Sequence, residues 1–153
     1  MNILLVYGTY SGGTLHAAEI IQDTLQALGH TVTLENVREC DPSKFNDYSF
    51  IILGTNTWLE NKEEGSMNGG YYALKDKMNG SNFAGKKVAI YGLGDSHQYN
   101  STFCMSVDHM DAFVKEQKGE VVSTLRVDRF YFEKAANTLN VKDWATKISP
   151  LIG

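Results

Sequence analysis

Three glycine-rich segments carry the side chains best suited to binding chemistry. Gly8-Thr9-Tyr10-Ser11-Gly12-Gly13-Thr14 places the three aliphatic hydroxyls of Thr9, Ser11 and Thr14 among glycines between an apolar run and a helix-period segment. A helix start exposes unpaired N–H groups and the positive end of its dipole, so such a loop cradles a phosphate. Glycine lets the backbone approach the anion and adopt positive φ. Gly13 stands where a nucleoside-triphosphate loop needs lysine before its final hydroxyl residue, and the G-x-G-x-x-G spacing of a dinucleotide loop is absent. The remaining reading is a terminal phosphate monoester held by Thr9, Tyr10, Ser11, Gly12, Gly13 and Thr14 without a neighbouring cation. The plain alternative is a glycine-serine turn capped by Thr14.

The second segment is Gly54-Thr55-Asn56-Thr57-Trp58-Leu59-Glu60. Trp58 is followed by Leu-Glu-Asn-Lys-Glu-Glu, which is no core pattern, so its ring is free either to stack on a planar heterocycle or to cover a helix. The third runs from Tyr91 to Cys104. It offers close backbone approach at Gly92 and Gly94, a second flat face at Tyr99, and then Phe103-Cys104. Cys104 reads as packing, with thiol reactivity as the alternative.

These segments make sense only if one architecture brings them together. Apolar runs at 3–7, 31–37, 50–53, 88–91 and 121–127 suit strands, and the continuous ones suit strands covered on both faces. Helical spacing of apolar residues predicts helices over 14–28 (ending at Gly29) and 101–118 (ending at Gly119), one after an Asn140 cap, and a weaker one over 72–78. Strand and helix alternating five times predict a doubly wound five-stranded parallel sheet in an α/β/α sandwich. Ligands on such sheets lie beyond the carboxyl ends of the strands, where the loops after strands one, three and four converge.

At 153 residues, the chain is expected to form a single domain over 1–153. A formal charge of −4 argues against nucleic-acid binding, which needs a concentrated basic face. No apolar run approaches the roughly 20 residues of a membrane span, and no secretory leader is evident, so a cytoplasmic, reducing setting with free Cys40 and Cys104 is expected. A Cys40–Cys104 disulfide is the alternative. The histidines show no metal-ligand spacing, and no nucleophilic triad is evident, so neither a metal site nor a catalytic residue is assigned.

Taken in order, the three segments resemble the flavodoxins, from Ile3 to the Trp144 helix. The T-x-[TS]-G-x-T phosphate motif is met at Thr9, Ser11, Gly12 and Thr14. Gly54, Thr57 and Trp58 meet G-x-x-T-W, while Gly92, Gly94, Asp95, Tyr99, Phe103 and Cys104 meet the third motif. With no long insertion in the fifth strand, the chain is similar to the short-chain branch. The resemblance implies strand order 2-1-3-4-5 and non-covalently bound FMN. Residues 9–14 would hold its phosphate, Trp58 and Tyr99 would sandwich the ring, and backbone groups of Thr57–Glu60 and Leu93–Asp95 would bond its polar edge.

The implied function is that of a low-potential one-electron carrier, with no substrate transformed on the protein. It would shuttle, as a monomer, between a flavodoxin/ferredoxin-type reductase and a downstream acceptor enzyme. The alternative on the same fold is an FMN-dependent NAD(P)H:quinone reductase. Two departures from the family pattern bear on this. Leu59 stands where the family often has glycine, which disfavours a backbone turnover beside the ring by about 1 kcal/mol. Residues 61–70 look like an enlarged loop, and with extra room between Asp95 and Tyr99 they leave His97 as an alternative ring partner to Tyr99. Glu60, Glu63, Glu64 and Asp95 outweigh Lys62 near this end, an acidic rim expected to disfavour added electrons and to steer basic partner surfaces.

Overall fold

The computed structural model describes residues 1–60, 63–98 and 101–152, with Leu59 and Glu60 as backbone only. Five parallel strands form the main sheet: β1 (Asn2–Gly8), β2 (Thr31–Asn36), β3 (Phe50–Asn56), β6 (Lys87–Gly94) and β7 (Glu120–Asp128). Between the third and fourth of these lies a two-stranded antiparallel hairpin of β4 (Trp58–Glu60) and β5 (Glu63–Ser66). The helices are α1 (Gly13–Ala27), α2 (Gly69–Lys75), α3 (Met105–Glu116) and α4 (Lys134–Ile152), and two 3₁₀ turns, Val37–Glu39 and Pro42–Asp47, precede β3. The main sheet runs β2-β1-β3-β6-β7, which is the expected 2-1-3-4-5 once the hairpin is set aside. No helix among the described residues is long and apolar enough to cross a membrane.

Side chains alternate across each strand, so the sheet buries two separate cores. Ile3, Leu5, Phe50, Ile52, Ala89 and Tyr91 face Ala18, Ile21 and Leu25 of α1 and Val141, Ala145 and Ile148 of α4. Leu4, Val6, Ile51, Leu53, Val88 and Ile90 face Tyr71 of α2, Val107, Met110 and Val114 of α3, and Phe45 and Phe83. Burying an aliphatic side chain in such a layer contributes about 1.5–3 kcal/mol, so the register of the strands is strongly specified.

Three local expectations need correction. Helix α4 starts at Lys134, and Asn140 lies inside it rather than capping it. The Asn137 amide, one turn earlier, bonds the carbonyls of Asp128 (2.8 Å) and Arg129 (3.3 Å) and fastens the helix to the end of β7. The helix expected over 101–118 is α3, which spans only Met105–Glu116, and Lys118 beyond it turns left-handed (φ 66°) just before Gly119. Gly119 is needed for space, because a Cβ there would lie 2.7 Å from Val114 and 2.8 Å from Phe83.

The third correction concerns 61–70. Residues 63–66 pair with β4, and the Asn68 side chain accepts from Gly70 N–H (2.9 Å) to start α2. The segment from Glu63 to Gly70 is therefore hairpin and helix cap rather than an enlarged loop; Asn61 and Lys62 lie outside the described residues. Cys40 and Cys104 are free and buried.

Candidate functional site

The loops beyond the carboxyl ends of β1, β3 and β6 converge on a cleft of about 250 Å³. Thr9, Tyr10, Ser11, Gly13, Thr14, Asn56, Thr57, Trp58, Leu93, Gly94 and Asp95 all line it. At its first wall the Thr9 hydroxyl accepts from Gly12 N–H at 2.8 Å, closing the loop into a ring. Gly12 sits at φ 92°, and α1 begins without a side-chain cap. The first helical bond runs from His16 N–H to Gly12 C=O (2.9 Å), so the N–H groups of Gly13, Thr14 and Leu15 are left for a ligand. Thr14, only 1% exposed, has a hydroxyl without a partner among the described residues. A buried polar group left unpaired is costly, and a phosphate oxygen at the helix start would complete it.

This wall is held from below. Tyr91 reaches across β3 and donates its hydroxyl to Thr14 C=O at 2.9 Å. Gly54 makes that crossing possible: a Cβ there would lie 2.1 Å from the Tyr91 ring. On the opposite face Tyr71 places its hydroxyl 2.7 Å from Gly54 C=O and 2.9 Å from Val6 C=O. Burial pushes both phenols well above their ordinary pKa.

Trp58 stands at the other end of the cleft, 53% exposed, with its ring centroid 6.0 Å from that of Tyr10. It covers no helix. A large aromatic left half in solvent at a strand end is suited to stacking on a flat ligand. Thr57 beside it is fixed twice, by its N–H to Leu93 C=O (2.9 Å) and by its hydroxyl to Ser106 Oγ (2.6 Å). The Gly94 carbonyl accepts from Arg129 N–H (2.8 Å). Part of the backbone expected to meet a ring edge is thus engaged within the protein.

Other expected site residues lie behind the cleft wall. Thr55 is fully buried and its hydroxyl accepts from Asn68 N–H at 2.8 Å, tying β3 to the start of α2. Cys104 is fully buried at φ 48° and packs beneath Gly94, where a Cβ would meet its sulfur at 2.9 Å. Burial pushes its thiol up to about 12. It is a packing residue, as is Phe103, which lies against the α3-side core. Tyr99 lies outside the described residues. His97 does not line the cleft: its Nε2 is 3.3 Å from the Arg129 guanidinium, and its N–H donates to Asp95 (2.9 Å).

Sequence reasoning missed the fourth wall. Gln98 and the turn after β7, Arg129-Phe130-Tyr131-Phe132, also line the cleft. An arginine and three aromatics directly after the fifth strand were the available signal, and the strand-end rule applies there too. Arg129 lies over the Phe132 ring (4.6 Å) with its Nε 3.8 Å from the Asp95 carboxylate. The cleft thus holds a cation that offsets one member of the expected acidic rim. Behind it, burial would raise the Asp128 carboxyl, but the Ser96 hydroxyl (2.5 Å) and N–H (2.9 Å) outweigh that and hold it below its usual range. Among the described residues no group of His, Cys, Asp and Glu could hold a metal ion.

Known proteins resemble this chain in sequence and in fold. The family model described as Flavodoxin matches residues 5–138. The chain is 36% identical over 121 residues to "Probable flavodoxin 2" of Bacillus subtilis, covering 78% of this chain and 76% of that one. It is 30% identical over 138 residues to a flavodoxin of Nostoc sp., covering 90% and 78%. Among solved structures, a short-chain flavodoxin associated with a PDU bacterial microcompartment superposes with a TM-score of 0.84 at 21% identity, over 100% of this chain and 99% of that one. Fusobacterium nucleatum flavodoxin bound to flavin mononucleotide gives 0.84 at 20% identity over 99% of each.

Proposed function

The chain belongs to the flavodoxin family, and from that premise we propose that it is a low-potential one-electron carrier using non-covalently bound FMN. The observation that carries the reading is the uncapped start of α1 with the buried, unpartnered Thr14 hydroxyl, in one cleft with the half-exposed Trp58 ring. One end receives a phosphate monoester and the other a planar ring.

The chain's own residues have separable tasks. Thr9 shapes the phosphate loop, while the hydroxyls of Ser11 and Thr14 and the N–H groups of 13–15 bind the anion. Trp58 covers one face of the ring and excludes water from it. Tyr99 is the partner plate that the family pattern supplies. FMN, when bound, would supply one-electron chemistry; the protein's part would be to hold its phosphate and its ring.

The partners are redox proteins: a reductase that loads the carrier and an enzyme that unloads it, met one at a time by a monomer in the cytoplasm. Glu63 and Glu64 are exposed on the hairpin beside Trp58 and favour basic docking surfaces, though Arg129 offsets Asp95. A weak, salt-sensitive encounter suits a shuttle. The test is a visible spectrum of the purified protein followed by incubation with NADPH. A flavin spectrum that bleaches only when a separate reductase is added supports the carrier. Steady NADPH oxidation by the protein alone identifies the quinone-reductase alternative instead.

A further inference from the structure

The geometry points to Tyr131 as an additional phosphate ligand, closing the loop of residues 9–14 from the β7 side and selecting for the phosphorylated flavin. This rests on the FMN reading above and assigns a role to a turn outside the three motifs that led to it.

Tyr131 lies directly on the glycines of the phosphate loop. Its hydroxyl oxygen is 3.8 Å from where a Cβ on Gly12 would stand, and its ring carbon Cε2 is 3.4 Å from that position on Gly13. The same two residues open α1, beside the free N–H groups and the buried, unpartnered Thr14 hydroxyl. The Tyr131 hydroxyl itself has no hydrogen-bond partner among the described residues. It is therefore a donor on the rim of an anion site, with no described residue to satisfy it.

The ring is also held in place. It packs edge-on against Phe130 (centroids 5.3 Å), which is 4% exposed and belongs to the α1–α4 core, and it meets the His16 ring at 6.1 Å. The turn carrying it is pinned by Asn137 to the carbonyls of Asp128 and Arg129 and by Arg129 N–H to Gly94 C=O. A half-exposed tyrosine fixed on three sides loses little further side-chain entropy when its hydroxyl engages a ligand.

Apo-protein is titrated with FMN and, separately, with riboflavin, for the wild type and for Tyr131→Phe. A hydrogen bond to a charged group that is partly solvated is worth about tenfold in affinity. The expected result is a roughly tenfold weaker Kd for FMN in Tyr131→Phe, with riboflavin unchanged within twofold. Inorganic phosphate supplies a second readout without the flavin: it should shift the ring NMR resonances of Tyr131 in wild-type apo-protein. Equal losses for both flavins, or no loss for either, would overturn the assignment and leave the ring as packing only. Phosphate addition without a Tyr131 shift would do the same. If wild-type protein binds no FMN, the functional reading fails, whatever Tyr131→Phe does.

Discussion

The Tyr91 hydroxyl donates to the Thr14 carbonyl across the width of β3, at 2.9 Å, and couples the middle of the sheet to the start of α1. Cross-strand register places Tyr91 opposite Gly54, and Gly54 alone leaves room for the ring. The proposed anion site is thereby built on the core and not on a free loop.

Removing that hydroxyl should therefore be felt at the ligand. Tyr91→Phe leaves the Thr14 carbonyl without this donor inside the fold, a loss of about 1 kcal/mol in stability. FMN affinity should fall several-fold with it, measured by flavin quenching. Gly54→Ala is expected to be worse, costing about 1–3 kcal/mol or more through overpacking against Tyr91. A Tyr91→Phe protein with unchanged melting and unchanged affinity would show that the tie is idle.

Cys104 should behave as an inert core group. At pH 8 an alkylating reagent should label Cys40 and Cys104 no faster than the protein unfolds, since burial raises the thiols to about 11 and about 12. The sign of the pH effect follows. A thiol whose folded pKa is raised stabilises the fold fully below its ordinary value, and that contribution is lost as pH climbs from about 9 towards 12. The buried phenols of Tyr71 and Tyr91 act in the same direction above about pH 10. Thermal melting should fall steeply above pH 9, and Cys104→Ala should flatten part of that slope. Rapid labelling of native protein would contradict this.

Asp128 predicts the acid side. Its carboxyl is held low by the two donations from Ser96, and that contribution is present above its ordinary pKa near 3.9 and disappears as pH falls through the depressed folded value. Ser96 sits in the turn that carries Asp95 and Gln98 to the cleft. Acidification below about pH 4 should release FMN, and Asp128→Asn should weaken binding at neutral pH, read by the same quenching assay. Asp128→Asn with wild-type affinity would remove Asp128 from the cleft's support.

Partner steering is tested by salt. Stopped-flow reduction by a reductase with a basic docking face should slow as ionic strength rises, because exposed Glu63 and Glu64 act through a screening length of about 10 Å at 0.1 M salt. Glu63→Gln with Glu64→Gln should reduce that dependence, whereas Arg129→Gln should increase it by freeing Asp95. A rate indifferent to salt would remove the acidic rim as a docking determinant.

Most of the fold was legible because its signals are local. Runs such as Phe50–Leu53 and Val88–Tyr91 mark buried strands, and strand–helix alternation then constrains their order. What stayed hidden depended on tertiary contact. Asn140 has the chemistry of a cap, but Asn137 is the residue in reach of β7. The hairpin at 58–66 has little strand propensity in Glu-Glu-Gly-Ser and forms through its own pairing, with Gly65 at φ 80° against Met105. In the site, hydroxyl and glycine spacing singled out the loop before α1, which lines the cleft. Arg129 and Tyr131 were missed because a turn after an edge strand shows its target only once folded.

On the function proposed above, the cleft would grip a flavin by its phosphate as well as by its ring. Apo-protein titrated in parallel with FMN and riboflavin, followed by flavin fluorescence, tests it directly. One-to-one quenching by FMN is expected, with a Kd at least tenfold tighter than for riboflavin. Absence of FMN quenching, or equal affinity for the two flavins, would contradict it.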